Sequence, residues 1–366
     1  MSPNITDAPK LLVMAGGTGG HVFPALAVAK ALAKKGWQVR WLGTADRMEA
    51  RLVPQHGFDI EFIDIKGVRG NGIIRKLAAP FKILRSIMQA KSFINEFKPD
   101  VIIGMGGFAS GPGGVAAKLS GIPLVLHEQN AIPGMTNKLL SRIATKVLCA
   151  FPNTFLPATN SEVVGNPIRQ ELIELGQTTK VCDDSALKVL VVGGSLGAKI
   201  FNDVMPDVVG QLSQQHSITV WHQVGKGNQP AVKSHYQDKG QAASVNVAEF
   251  IDDMEAAYRW ADVVVCRSGA LTVSELAAVG RASILVPYPH AVDDHQTKNA
   301  SVLVEAGAAF LLPQTILNAD NLAEKLTLFA EQRHVVSEMA QQARSVAVLD
   351  ATQRVASICA ELARKD

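Results

Sequence analysis

The chain has little cysteine: four residues in 366, Cys149, Cys182, Cys266 and Cys359, with no Cys-x-x-Cys pair. That scatter argues against a disulfide framework and a cysteine zinc site, and fits a reducing compartment. No run of 18 apolar residues occurs, so no membrane-spanning helix is expected. The N-terminus lacks the charged and apolar regions of a signal peptide. An excess of one charge is also missing. Lys and Arg number 36 against 33 Asp and Glu, and a formal charge of +3 does not by itself argue for nucleic acid. No Asp-x-Asp occurs. The adjacent pairs Asp252-Asp253 and Asp293-Asp294 read as caps or surface pairs, and no metal is assigned. His127-Glu128 starts like a zinc-protease helix, but Ala131 stands where the second histidine is required.

What is present is largely said twice. Leu11–Ala15 runs into Gly16-Gly17-Thr18-Gly19-Gly20-His21, and Val189–Val192 runs into Gly193-Gly194-Ser195-Leu196-Gly197-Ala198. A second pair follows in the same order. Pro99–Gly107 is echoed by Ala261–Gly269. Apolar runs at 11–15, 38–42, 101–104, 123–126 and 146–149, then 188–192, 218–222, 263–266 and 283–286, alternate with helical patterns. This predicts βαβ units on parallel sheets, and the length suits two domains. The expected fold class is α/β, two doubly wound Rossmann-like domains with ligands at the carboxyl ends of the strands. The boundary is expected near Gly165-Asn166-Pro167.

Glycine turns let backbone N–H groups approach phosphate or sugar oxygens, and a following helix adds partial positive charge. Neither turn is a dinucleotide fingerprint: after Gly17 and Gly19 the third position is Val22. The second misses a P-loop, with Ala198 for glycine and Ile200 for Ser/Thr. His21, at a helix start beside the first turn, suits a general base for a hydroxyl. Ser268-Gly269 and the next amides would open a helix toward a diphosphate, with Glu275 two turns on as a partner for ribose hydroxyls. His127–Asn130 places four polar groups at a strand end.

From Lys66 to Lys91 there are seven basic residues and no acid, interleaved with Ile73, Ile74, Leu77, Phe81, Ile83, Leu84, Ile87 and Met88. This reads either as a surface element for anionic lipid or as an amphipathic helix with its apolar face in the core. Gly70-Asn71-Gly72 and Pro80 argue against a single long helix.

Together these stretches resemble the MurG family of N-acetylglucosaminyltransferases. The matching motifs are Gly16–His21, Gly104–Gly114, His127–Asn130, Gly165–Arg169, Gly193–Ala198, Phe250–Met254, Ser268–Glu275 and Asp293–Ala300, in the family's order. The resemblance implies a GT-B fold with an interdomain cleft. Residues 7–165 would receive the acceptor, 166–349 would bind UDP-GlcNAc, and a helix at 350–366 would pack back on the first domain. The donor site would include Thr18, Gly19, Gly20, Asn130, Arg169, Ser195, Ile251, Ala270, Leu271, Thr272, Val273, Ser274, Glu275 and Gln296. Ile251 would meet the uracil through its backbone, Glu275 the ribose, and Gln296 with His295 the GlcNAc hydroxyls. The implied reaction inverts the sugar: the C4 hydroxyl of MurNAc in undecaprenyl-linked lipid I attacks C1 of GlcNAc, giving lipid II. His21 is the candidate base and Glu128 the runner-up. No cofactor is expected. The implied partners are an anionic membrane surface and other cell-wall synthesis proteins, with no nucleic acid, at the cytoplasmic face of the inner membrane. Two departures stand out: Leu196 replaces the family's glutamine, and Phe108 its tyrosine. The alternatives are another GT-B enzyme, such as a glycolipid synthase or a UDP-GlcNAc 2-epimerase, and a non-catalytic nucleotide-sugar-binding protein.

Overall fold

The structure is a computed structural model and describes residues 8–65, 73–178, 186–194, 196–241 and 244–363. The chain divides into two compact units, Met1–Arg169 with Val348–Asp366, and Gln170–Ala347.

The first unit runs β1 (Lys10–Met14), α1 (Gly19–Ala33), β2 (Gln38–Gly43), α2 (Met48–Gln55), β3 (Asp59–Phe62), α3 (Ile73–Phe97), β4 (Val101–Gly104), α4 (Ser110–Leu119), β5 (Leu124–Glu128), α5 (Met135–Leu140), β6 (Lys146–Cys149) and β7 (Glu162–Val163). The second runs α6 (Gln170–Gln177), β8 (Leu187–Val192), α7 (Lys199–Leu212), β9 (Ile218–Gln223), α8 (Gln229–Asp238), β10 (Val245–Ala248), α9 (Met254–Trp260), β11 (Val263–Cys266), α10 (Ala270–Val279), β12 (Ala282–Leu285), α11 (His295–Glu305), β13 (Ala309–Leu311), α12 (Ala319–Glu331) and α13 (Arg333–Ser345). The last helix, α14 (Ala351–Ala363), returns to the first unit.

The sheet orders are β3-β2-β1-β4-β5-β6-β7 and β10-β9-β8-β11-β12-β13. Among the described residues all the strand pairs are parallel, with Leu12 of β1 between Arg40 and Ile102, and Leu190 of β8 between Trp221 and Val264. Both sheets follow one winding, reversing between their first and fourth strands, β1/β4 and β8/β11. The two repeated sequence pairs fall on those four strands. Such a reversal leaves a crevice at the carboxyl ends, where ligands bind.

Burial on both faces explains the apolar runs. Along β1, Leu11 and Val13 pack with Val28, Leu32, Trp41 and Val355, while Leu12 and Met14 pack with Ile94, Ile102 and Leu126. In the second unit, Val189 and Val191 meet Phe201, Met205, Val263 and Phe329.

Two expectations change. The division falls after Arg169 and not after 165, because Val164 and Ile168 are buried and the Thr352 hydroxyl donates to the Ile168 carbonyl (3.4 Å). A Cβ at Gly165 would lie 2.6 Å from Val348, so the two chain segments are in close contact there. Secondly, α3 is a single 25-residue helix through Pro80. Pro80 is exposed, so the carbonyl it leaves unpaired one turn back can be hydrated. The Gly70–Gly72 turn, with Lys66 and Arg69, lies outside the described residues.

Candidate active site

In the first unit the predicted residues gather at the carboxyl ends of β1, β4 and β5. After Met14 the chain turns through Gly17, at φ +91°, and Thr18 starts α1 in extended conformation. The amides of Gly19 and Gly20 open the helix, where no preceding turn supplies acceptors and the dipole adds positive potential. His21 is part-buried, with Nδ1 3.0 Å from the Gly16 carbonyl. A carbonyl only accepts, so Nδ1 carries a proton in this contact, and in the neutral ring the lone pair is then on Nε2. The β4 loop lies against that ring. A Cβ at Gly106 would stand 2.8 Å from His21 Cδ2 and 2.9 Å from Nε2, and one at Gly107 would meet the Gly16 carbonyl at 2.6 Å. Both glycines have positive φ, +98° and +91°.

Side chains brace this turn. The Gly17 N–H donates to Glu49 Oε2 (2.8 Å). Glu49, in the first turn of α2, is buried, and its Oε1 accepts from the Thr44 amide (3.1 Å) and hydroxyl (2.7 Å). Trp41 Nε1–H donates to the Ala15 carbonyl (2.7 Å). Ser110 Oγ sits 2.7 Å from the Gly106 carbonyl and 3.0 Å from that of Met14.

At the end of β5 the polar run organises its own loop. Glu128 Oε1 accepts from the Asn130 amide (3.0 Å) and Nδ2 (3.1 Å). Its Oε2 accepts from the Gly134 amide (3.0 Å) and Asn137 Nδ2 (2.9 Å). Four donors occupy a buried carboxylate, which suits it to holding the 130–137 loop and poorly to taking a substrate proton. His127 is fully buried and donates from Nε2 to the Gly165 carbonyl (2.9 Å), while Nδ1 faces Gln129 Nε2 at 3.2 Å. Burial pulls its pKa down to about 4, outweighing that carbonyl and the Glu128 charge, so it is neutral. Arg169 comes to the same end of the unit, its guanidinium 5.8 Å from the Phe23 ring of α1.

In the second unit the glycine turn after β8 is held by close backbone approach. A Cβ at Gly193 would lie 2.2 Å from the Ala198 nitrogen, one at Gly197 2.2 Å from the Val224 carbonyl, and one at Gly225 2.1 Å from that of Leu196. Asn202 and Asn228 both donate to the Val224 carbonyl (3.0 Å each). Leu196 is 86% exposed, so the departure there removes a side chain's polarity and no packing. Ser195 lies outside the described residues.

After β11, Arg267 donates to the Val286 and Pro287 carbonyls (3.1 and 3.2 Å) and to Gln314 (2.6 Å), and lies over Phe201 and Tyr288. Ser268 is fully buried, with no protein partner for its hydroxyl among the described residues, and its carbonyl accepts from Asn299 Nδ2 (3.2 Å). Gly269 then caps α10. In α10, Ala270 and Val273 are buried, Leu271 and Thr272 are part-exposed, and the Ser274 hydroxyl donates back to the Ala270 carbonyl (3.0 Å). Buried Glu275 accepts from the Tyr258 hydroxyl at Oε2 (3.1 Å). Burial first, with Glu275 behind it, pushes the Cys266 thiol up to about 12, so this cysteine is no nucleophile. Ile251 is buried after β10, and its backbone makes no hydrogen bond among the described residues. Gln296 Oε1 accepts from the Tyr288 amide (2.8 Å), leaving its NH₂ for other acceptors. Before it, Asp293 and Asp294 both take left-handed φ, +53° and +51°, a strained pair in which the Asp294 carboxylate accepts from Thr297 (2.7 Å).

Glu49, Tyr258 and Asn299 brace Gly17, Glu275 and Ser268, and the sequence does not mark them for it. Glu49 and Asn299 lie within helical patterns, and their contacts with the Gly17 amide and the Ser268 carbonyl span 32 and 31 residues. Only Asn299 stood inside a quoted motif.

Two α/β units with one winding, each carrying a glycine turn and helix at its switch point, define the class of two-domain Rossmann-like proteins that handle nucleotide-activated groups. Residues 11–149 match the glycosyltransferase family 28 N-terminal domain, and 188–355 its C-terminal domain. The UDP-N-acetylglucosamine–N-acetylmuramyl-(pentapeptide) pyrophosphoryl-undecaprenol N-acetylglucosamine transferase of Shewanella frigidimarina is 79% identical over the whole of both chains. Its counterpart from Shewanella denitrificans is 77% identical over 98% of each. The crystal structure of Acinetobacter baumannii MurG superposes with a TM-score of 0.81 at 44% identity, covering 96% of this chain and 99% of that one. The chain belongs to glycosyltransferase family 28 and, within it, to the MurG family, and its fold is GT-B.

Proposed function

We propose that the chain transfers N-acetylglucosamine from UDP-GlcNAc to the C4 hydroxyl of MurNAc in undecaprenyl-linked lipid I, releasing UDP and lipid II. The oxygen–C1 bond forms as the bond from C1 to the diphosphate oxygen breaks from the opposite face, so the α-linked donor gives a β-linked product. The acceptor proton passes to His21 Nε2. The observation that carries this role is the Nδ1 contact with the Gly16 carbonyl, which fixes the ring and turns its basic nitrogen away from that carbonyl. Glu128, with four hydrogen bonds already made, serves the loop instead.

Donor binding falls to the second unit. Ala270 and the following amides at the head of α10, with the Ser268 hydroxyl, meet the diphosphate, and their fixed dipoles stabilise the charge that grows on the leaving UDP. Ser195 joins them. Glu275, oriented by Tyr258, takes the ribose hydroxyls. The Ile251 backbone takes the uracil, and the Gln296 amide a GlcNAc hydroxyl. In the first unit, Thr18, Gly19, Gly20, Asn130 and Arg169 offer further polar contacts for the substrates.

The acceptor's lipid tail sets the location, the cytoplasmic face of the inner membrane. Among the described residues no helix is long and apolar enough to cross a membrane. Instead α3 exposes Phe81 (77%), Leu84 (58%) and Met88 (60%) at helical spacing, beside exposed Lys82 and Arg85. Such a surface suits anionic headgroups and supports peripheral attachment. Other cell-wall synthesis proteins would meet the enzyme there.

The test is transfer of radiolabelled GlcNAc to a lipid I analogue, with and without EDTA. A β-linked disaccharide product formed in EDTA supports the reading. Donor binding without transfer, or a new free sugar nucleotide from UDP-GlcNAc alone, overturns it.

A further inference from the structure

The hydrogen bond from His21 and the hydrogen bond to Glu49 meet on one peptide group. The Gly16 carbonyl accepts from His21 Nδ1 (3.0 Å), and the N–H of that same peptide, belonging to Gly17, donates to Glu49 Oε2 (2.8 Å). We propose that Glu49 is a positioning residue that acts on His21 through this peptide, as a carboxylate–peptide–imidazole relay. The inference rests on the reading of His21 as the base.

A peptide group carries a dipole of about 3.5 D, with its N–H and carbonyl at opposite ends. A carboxylate at the N–H end polarises the group and makes the carbonyl a better acceptor, as chained hydrogen bonds strengthen one another. The stronger acceptor holds Nδ1–H and favours the positive charge that the ring gains when Nε2 takes the acceptor's proton. Glu49 itself receives no proton. In its effect this matches a carboxylate bonded directly to a catalytic imidazole, with a peptide interposed.

The surroundings are shaped to this contact. Glu49 is 1% exposed, so its charge is little screened by water. Thr44 holds the other oxygen through its amide and hydroxyl, which aims Oε2 at Gly17. Two glycines make room. A Cβ at Gly16 would lie 2.4 Å from Glu49 Oε1, and one at Gly43 2.9 Å from Glu49 Cγ. The head of α2 also favours a negative side chain.

The experiment compares Glu49→Gln with the unaltered enzyme by steady-state transfer and by proton NMR of ¹⁵N-histidine-labelled protein. Glu49→Gln keeps the size and removes the charge. We expect kcat to fall about 10- to 100-fold with both KM values within about threefold, and the His21 Nδ1–H resonance to move upfield. A purely structural brace would raise KM and leave that resonance in place, and that pattern overturns the proposal, as does an unchanged kcat. If Glu49→Gln does not fold, the unaltered enzyme still decides: a resting His21 protonated on Nε2 instead of Nδ1 breaks the relay. His21→Ala separates the two ideas. Turnover retained in that variant sinks the base assignment, while the NMR comparison judges the coupling of Glu49 to the ring by itself.

Discussion

The two glycine turns begin alike and are held differently. Each follows the first strand of its sheet and opens a helix at the point where the winding reverses. In the first unit, side chains add to the backbone packing of Gly107 on Gly16: Glu49 holds Gly17, Trp41 holds Ala15, and His21 holds Gly16. In the second, the described part of the turn is held by backbone packed on backbone, Gly197 against Val224 and Gly225 against Leu196. The difference fits two tasks. A turn that must orient an imidazole benefits from polar partners that fix and polarise it. A turn that must bring amides close to an anion benefits from having nothing between backbone and ligand.

Breaking each turn should therefore fail in its own way. The largest effect is expected from Gly106→Ala in the first unit. Its Cβ would press on the His21 ring at 2.8 Å from a backbone at φ +98°, and kcat should fall at least about 100-fold with donor affinity kept. In the second unit, Gly225→Ala would drive a Cβ to 2.1 Å from the Leu196 carbonyl. Donor KM should rise about tenfold or more, and stability should drop by about 2–3 kcal/mol in urea unfolding. If Gly106→Ala instead weakens donor binding, the division of labour is wrong.

The units are alike in one respect that acid exposes. Each buries a neutral histidine, His127 with its pKa lowered to about 4 and His222 to about 3, both chiefly by desolvation. Above pH 6.5 neither state of the chain binds these protons. As the pH falls below 6.5 the unfolded chain takes them up while the folded chain does not, so stability is lost until the folded pKa values are passed. At pH 5 each histidine should cost about 2 kcal/mol, read as a lower urea midpoint than at pH 7. The smallest effect concerns α3. Leu84→Glu should lower binding to anionic vesicles a few-fold, and added salt should weaken binding of the unaltered protein.

Much of this was legible from sequence. The central strands β1, β4, β8 and β11 are buried on both faces, so they read as unbroken apolar runs, and the turns after them stand out by glycine. The edge strands did not. β3 reads Asp-Ile-Glu-Phe and is mostly exposed, β7 has two residues and β13 three, too little for a period to show. Pro80 misled because an exposed proline can sit inside a helix whose other side is anchored by Ala90, Phe93, Ile94 and Phe97. His21 was visible by its place after the glycines. Glu49 was not, since an acid in the first turn of a helix is ordinary until the fold brings it 2.8 Å from the Gly17 nitrogen. Glu128 stands at a strand end as a base could, and the four donors that tie it to its own loop are not visible in the sequence.

The central claim is that the first turn handles the proton while the second unit holds the donor. It is tested most directly by His21→Ala, with single-turnover transfer and UDP-GlcNAc titration run on the same preparation. The account predicts transfer reduced at least about 100-fold with the donor Kd within about threefold of the unaltered enzyme. Undiminished transfer, or a donor Kd that weakens in step with the rate, would contradict it.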